Sequence, residues 1–72
     1  NIACVSVNTD GQVKGEIVVL DMLGREVQMV FNGPLNFGNS KYFIETSELP
    51  TGVYFVALTV GEKHFLKKLV VK

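Results

Sequence analysis

An all-β fold, a small immunoglobulin-like antiparallel β-sandwich of six to seven strands, is what the sequence predicts, and three observations carry it. Short runs rich in Val, Ile, Leu and Phe recur along the whole of the 72-residue chain. Clusters of Gly, Asn, Asp, Ser and Pro interrupt them at roughly the eight-to-twelve-residue spacing of β-sandwiches. Within several runs apolar side chains alternate along the chain, which is the period of a strand and not of a helix. Periodicity alone leaves a small barrel open as the alternative. The length admits a single domain, residues 1–72. A chain this short hides only about 60% of the surface its unfolded form exposes, so its core must be efficient.

The first strand is expected at Ile2–Val7, where Cys4 lies between Ala3 and Val5. As the only cysteine, Cys4 has no disulfide partner within the chain and is expected to be a small buried core residue. Asn8-Thr9-Asp10-Gly11 is rich in turn formers. Glu16–Leu20, nearly all apolar, reads as a strand covered on both faces or twisting into the core. Asp21-Met22-Leu23-Gly24-Arg25 turns the chain, with Gly24 suited to a left-handed backbone position. Glu26–Phe31 returns, with Val27, Met29 and Phe31 expected on one face and Glu26, Gln28 and Val30 on the other. Asn32 to Ser40, containing Pro34, is expected to be a loop.

Lys41–Thr46 is the fourth predicted strand, with Tyr42 and Ile44 on one face and Phe43 on the other. Ser47–Gly52 is a turn containing Pro50, which has no N–H to give a ladder. Val53–Val60 then places Tyr54, Val56, Leu58 and Val60 on one side and Val53, Phe55, Ala57 and Thr59 on the other. Gly61-Glu62 makes a tight hairpin turn, and Lys63–Val71 is the sixth strand. A seventh is expected either upstream of Asn1 or inside the Asn32–Ser40 segment.

Seven basic and seven acidic residues cancel, which removes a whole-domain charge argument for nucleic acid or an anionic membrane. The charge is nevertheless polarised: Lys63, Lys67, Lys68 and Lys72 share the last ten residues with no Asp or Glu. No run reaches the roughly 18 apolar residues of a membrane span, and no secretory leader opens the chain. If the protein leaves the cytoplasm, its export signal is expected upstream of residue 1. Catalytic material is thin. His64, the only histidine, sits beside a turn with no metal-ligand partner at suitable spacing. Ser6, Ser40 and Ser47 lie in no nucleophile elbow, and neither a calcium loop nor a phosphate-binding glycine loop is present. No enzyme activity and no cofactor are expected. Tyr42, Phe43, Tyr54, Phe55 and Phe65 interleave with aliphatics at strand period, so they read as core and not as a base-stacking platform.

Three motifs in order carry a family resemblance. Ile17-Val18-Val19-Leu20-Asp21-Met22-Leu23-Gly24-Arg25-Glu26-Val27 is similar to a strand–Asp-x-x-Gly-Arg–strand hairpin. Leu49-Pro50-Thr51-Gly52-Val53-Tyr54-Phe55-Val56 matches a Leu-x-x-Gly-x-Tyr lead-in to a penultimate strand. Phe65-Leu66-Lys67-Lys68-Leu69-Val70-Val71-Lys72 matches a Lys-rich apolar last strand. Each is weak alone, but their order and spacing are specific, and together the chain resembles the C-terminal sorting domain of the type IX secretion system (the Por secretion tail family). The family's usual Pro-Asn-Pro-containing opening is not in this sequence, which leaves an edge element missing before the first strand.

The resemblance implies a secretion signal of Bacteroidota. A cargo covalently attached upstream passes through the periplasm, is recognised by an outer-membrane translocon, and reaches the surface or the medium. There a sortase removes the signal domain and joins the cargo to lipopolysaccharide. By the same resemblance, Asp21, Gly24, Arg25, Leu49, Gly52 and Tyr54 shape the domain. Lys67, Lys68, Leu69, Val70, Val71 and Lys72 present the address to the translocon. The alternative is a generic immunoglobulin-like accessory or adhesion module of a secreted protein, binding carbohydrate or protein. Ile2–Val7 carries no charge to discourage edge pairing, so the isolated fragment is expected to be able to form a strand-exchanged dimer.

Overall fold

The computed structural model describes residues 2–35 and 37–72, and it is built from six strands without a helix. In chain order they are β1 (Ile2–Thr9), β2 (Val13–Leu20), β3 (Glu26–Leu35), β4 (Gly38–Glu45), β5 (Gly52–Val60) and β6 (Lys63–Val71). All pairings are antiparallel, in a two-stranded sheet β1-β4 and a four-stranded sheet β3-β2-β5-β6. Two separate sheets packed face to face make this a sandwich, not a barrel.

The core lies where the two layers overlap. Ile17 and Val19 from β2, Leu35 from the end of β3 and Ile44 from β4 are at most 1% exposed. Val7, Tyr54, Val56 and Val71 complete the cluster. β2 and β5, each paired on both edges, supply its floor. Their inward residues follow the expected alternation: Tyr54 and Val56 are buried, and Leu58 and Val60 pack against the cluster. Tyr42 and Ile44 face inward and Phe43 takes the other face, also as expected.

The four-stranded sheet also has an ordered outer face, because residues paired across antiparallel strands share a side. Met29, Val18, Ala57 and Leu66 form one continuous apolar row across all four strands. Asn32, Glu16, Thr59 and His64 form a polar row beside it. There Thr59 Oγ1 meets His64 Nδ1 at 3.2 Å.

Four expectations need correction. Cys4 is exposed, not buried. β1 alternates Ala3, Val5, Val7 and Thr9 inward, so Cys4 takes the opposite face, paired with the exposed Phe43. Of the aromatics assigned to the core, Tyr42 and Tyr54 belong there. Phe43 and Phe65 are half exposed or more, and Phe55 lies on the outer face opposite Leu20.

The clean alternation expected for Glu26–Phe31 also fails. Register shifts between Ile17 and Val18 and between Val19 and Leu20 leave Val30 and Val27 without partners on β2. These are β-bulges, each adding one residue to β3 and switching the residues beyond it to the opposite side. Phe31 therefore pairs with inward Ile17 while Met29 pairs with outward Val18.

Finally, most of the expected Asn32–Ser40 loop is strand. β3 runs on to Leu35 and β4 starts at Gly38, with Asn36 outside the described residues. Pro34 is tolerated because β3 is an edge strand, with a ladder on one side only. No separate seventh strand lies among the described residues.

Gly15 is a packing position that turn-based reading of the sequence passes over. It is buried between Gly33 and Val60 on the inner face, and a Cβ there would come within 2.3 Å of Leu35 Cδ1 and 2.6 Å of its Cγ. Leu35 is 1% exposed and has little room to yield. Gly15→Ala is therefore expected to destabilise the domain by about 1–3 kcal/mol, the usual cost of overpacking. Gly33→Ala, whose Cβ would meet Phe31 at an ordinary 3.6 Å, serves as the control in urea or thermal melts.

Candidate functional site

The residues of the three sequence motifs converge on the four-stranded sheet. β2, from the first motif, pairs with β5, from the second, and β5 pairs with β6, from the third. Leu20, Phe55 and Lys68 stand in one cross-strand row, and Gly52 and Tyr54 pair with Val71 and Leu69. The motifs thus occupy one contiguous sheet, spread over both of its faces.

The first motif builds a closed turn around one carboxylate. Asp21 accepts hydrogen bonds at Oδ1 from the Leu23 and Arg25 N–H groups, both at 2.9 Å. Its Oδ2 accepts from Arg25 Nε at 2.9 Å. On the backbone, Asp21 N donates to the Arg25 carbonyl at 2.9 Å and Gly24 N to the Asp21 carbonyl at 3.0 Å. Gly24 has φ 84°, where a Cβ would be strained, so the Asp-x-x-Gly-Arg spacing has a stereochemical cause. Arg25 is largely exposed while the Asp21 side chain is 18% exposed, folded under the turn it organises.

The second motif is a corner. Leu49 N donates to the Thr46 carbonyl at 3.0 Å, and Leu49 packs on the core. Tyr54, 7% exposed, donates its hydroxyl proton to the Pro50 carbonyl four residues upstream at 2.6 Å. The hydroxyl so held satisfies a carbonyl at the sandwich rim and fixes how the chain enters β5. At the other end of β5, Gly61 with φ 61° opens a two-residue turn between Val60 and Lys63. Positive φ at the first central position is the type II′ pattern of hairpins. Gly61 N also donates to the Lys14 carbonyl at 2.8 Å, tying this hairpin to β2.

The third motif does not form a single patch. Lys67 pairs with inward Val56, so it shares the inner face with Leu69 and Val71. Lys68 pairs with outward Phe55 and shares the outer face with Leu66 and Val70. Both lysines are exposed, Val70 is 50% exposed, Leu69 is half-buried and Val71 is buried. Lys72 is exposed beyond the end of the strand. Lys67 is exposed although it points inward, because the β1-β4 layer does not reach over the middle of β6, in contrast to its buried end at Val71. Beneath β1 a cleft of ≈1070 Å³ opens instead, lined by Val5, Val7, Leu58, Phe65, Lys67 and Leu69 among others. Sequence reading missed this cleft, since it depends on how far one layer overlaps the other.

Electrostatically the turn is the tuned element. Hydrogen bonding from the Arg25 backbone N–H, partly opposed by burial and reinforced by the Arg25 side chain and the Leu23 N–H, holds the Asp21 carboxyl below its ordinary value of 3.8. A depressed folded-state pKa stabilises the fold above the ordinary value, and that contribution is lost as pH falls through the depressed one. Asp21→Asn keeps an acceptor for the two N–H groups but loses the ion pair, whereas Asp21→Ala loses both. At neutral pH the expected order of melting temperature is wild type, then Asp21→Asn, then Asp21→Ala. The gap between wild type and Asp21→Asn should close on acidification below pH 3.8. Tyr54→Phe is expected to cost about 1–1.5 kcal/mol, the net worth of the lost hydrogen bond. In a domain of this size that is roughly 4–10 °C in the same melts.

One comparison identifies the chain. The family model of secretion system C-terminal sorting domains matches residues 1–72, the full length of the sequence. No curated protein and no solved structure matches. The match runs through the Asp21 hairpin, the Tyr54 corner and β6 alike, and the chain belongs to the family of type IX secretion C-terminal sorting domains.

Proposed function

We propose that this domain directs an upstream cargo, covalently attached to it, from the periplasm through the outer-membrane type IX translocon to the cell surface or the medium. A surface sortase then separates it from the cargo. The observation that carries this reading is the family match across all of residues 1–72. The domain acts as a folded signal and not as a catalyst. What its fold contributes is a rigid presentation of β6.

Within this reading the translocon recognises the Lys67–Lys72 segment. Support comes from its position on an edge strand, with two exposed lysines next to each other in sequence and on opposite faces. A receptor that engages both must close around the strand edge, not lie flat on one side. Buried Val71 and half-buried Leu69 anchor the segment, so truncation would unfold as well as silence it.

Charge reversal separates the two effects. A reporter fused upstream of the domain is expected to be exported in a host with a type IX system, and to be retained when residues 1–72 are deleted. Lys67→Glu/Lys68→Glu is expected to block export while shifting the melting temperature by no more than about 4 °C, since both side chains are exposed. Normal export of a normally melting double mutant would return both lysines to edge protection.

A further inference from the structure

The turn between β2 and β3 carries two side chains that neither the turn nor the core requires. Asp21, Gly24 and Arg25 set its geometry, while Met22 and Leu23 lie beyond the last cross-strand pair, Leu20–Glu26. They are 71% and 79% exposed, and Leu23 is the most exposed large hydrophobic among the described residues. Turn positions are ordinarily filled by Gly, Asn, Asp or Ser. Single apolar residues on a surface are common, but two adjacent ones at a hairpin tip make a small apolar knob.

The backbone under this knob is already satisfied. The N–H groups of Leu23 and Arg25 are held by Asp21 Oδ1, and that of Gly24 by the Asp21 carbonyl. Withdrawing the tip from water therefore strands none of these three donors, which is otherwise the main cost of burying a turn. The same bonds fix the turn before any contact, so little conformational freedom is lost on binding. Asp21 and Arg25 cancel in charge, and what the tip offers a partner is apolar surface.

We propose that the Met22-Leu23 tip is a second docking point for the translocon, seated in an apolar pocket of that complex; this rests on the export reading. The pairings Leu20–Phe55 and Gly52–Val71 bring the tip and the end of β6 to one end of the sheet. Only β5 lies between β2 and β6, so two strand spacings, about 10 Å, separate them. One receptor face reaches both. A lipid surface is the poorer occupant. The two side chains bring about eight non-hydrogen atoms, well short of a myristoyl chain, which by itself holds a protein to a bilayer only marginally. The Asp21–Arg25 pair, being neutral, adds no attraction to anionic lipid. A pocket instead surrounds both side chains and gains from their rigid presentation.

Met22→Ser/Leu23→Ser leaves the hydrogen bonds of the turn in place. It should melt within about 4 °C of wild type. Export of a reporter fused upstream should nevertheless fall about tenfold, the effect of emptying a well-filled pocket. Met22→Leu/Leu23→Met, which keeps the apolar surface, should export normally. Because the reporter is attached upstream, this assay reads the tip as it stands in a longer chain. The sequence has no Trp, so Leu23→Trp places a single fluorophore at the tip. Its emission should shift to the blue on nanodiscs holding the purified translocon and stay unchanged on empty nanodiscs of phosphatidylethanolamine and phosphatidylglycerol. Wild-type export by a normally melting serine variant, or no shift on the loaded discs, would overturn the proposal. A shift on empty discs would also overturn it, by assigning the tip to lipid. The export reading fails separately: a reporter exported equally with and without residues 1–72 removes both, whereas full export by the serine variant removes only the tip.

Discussion

Two strands packed on four is the constraint that governs the rest of this domain. Burial is complete only where the layers overlap, over the β3-β2 half and into β5. Ile17, Val19 and Ile44 have no exposed surface there. Two strand spacings from Ile17, Phe65 belongs to the same inner cross-strand row as Phe31, Ile17 and Leu58, yet it is 50% exposed. One row thus runs from core to solvent without leaving its strand face. A domain of this size has little stability in reserve, so an uncovered stretch of its inner face is a material deficit.

Local definition compensates. The sheet register is pinned by turns whose chemistry is independent of the core: the Asp21 carboxylate closes the β2–β3 hairpin, and Gly61 both turns β5 into β6 and ties that turn to the Lys14 carbonyl. The Tyr54 hydroxyl fixes the start of β5 from inside. Because a slip of one residue would carry every apolar side chain to the wrong face, such anchors matter most where one face is poorly covered. β6 is the strand with least packing and depends on β5 alone for its ladder, so the two anchors at the ends of β5 are also what hold β6 in register.

The legible parts of the sequence were those decided within a few residues. The Asp21–Arg25 turn, the Gly61-Glu62 hairpin and the two sides of β5 all come from residue type and spacing, and the fold class comes from their repetition. The features that escaped were decided at a distance. Cys4 looks apolar enough to bury, but its face is set by the pairing of β1 with β4. Val27 and Val30 carry no mark of a bulge, since the extra residues exist only relative to an eight-residue partner strand. Gly15 lies outside every sequence motif, and its packing role shows only where Leu35 stands against it. Lys67 and Lys68 read as one basic pair, yet the pleat sends them to opposite sides, and only the missing cover over β6 leaves both in solvent.

The split of these lysines follows from the pleat. Lys68, with Leu66 and Val70, lies on the outer face of β6, whereas Lys67, Phe65 and Leu69 line the cleft on its inner face. Phe65 stays 50% exposed there, because the two-stranded layer does not reach over the middle of β6. One short strand thus carries two faces with different surroundings, one open to solvent and one bordering the cleft under β1.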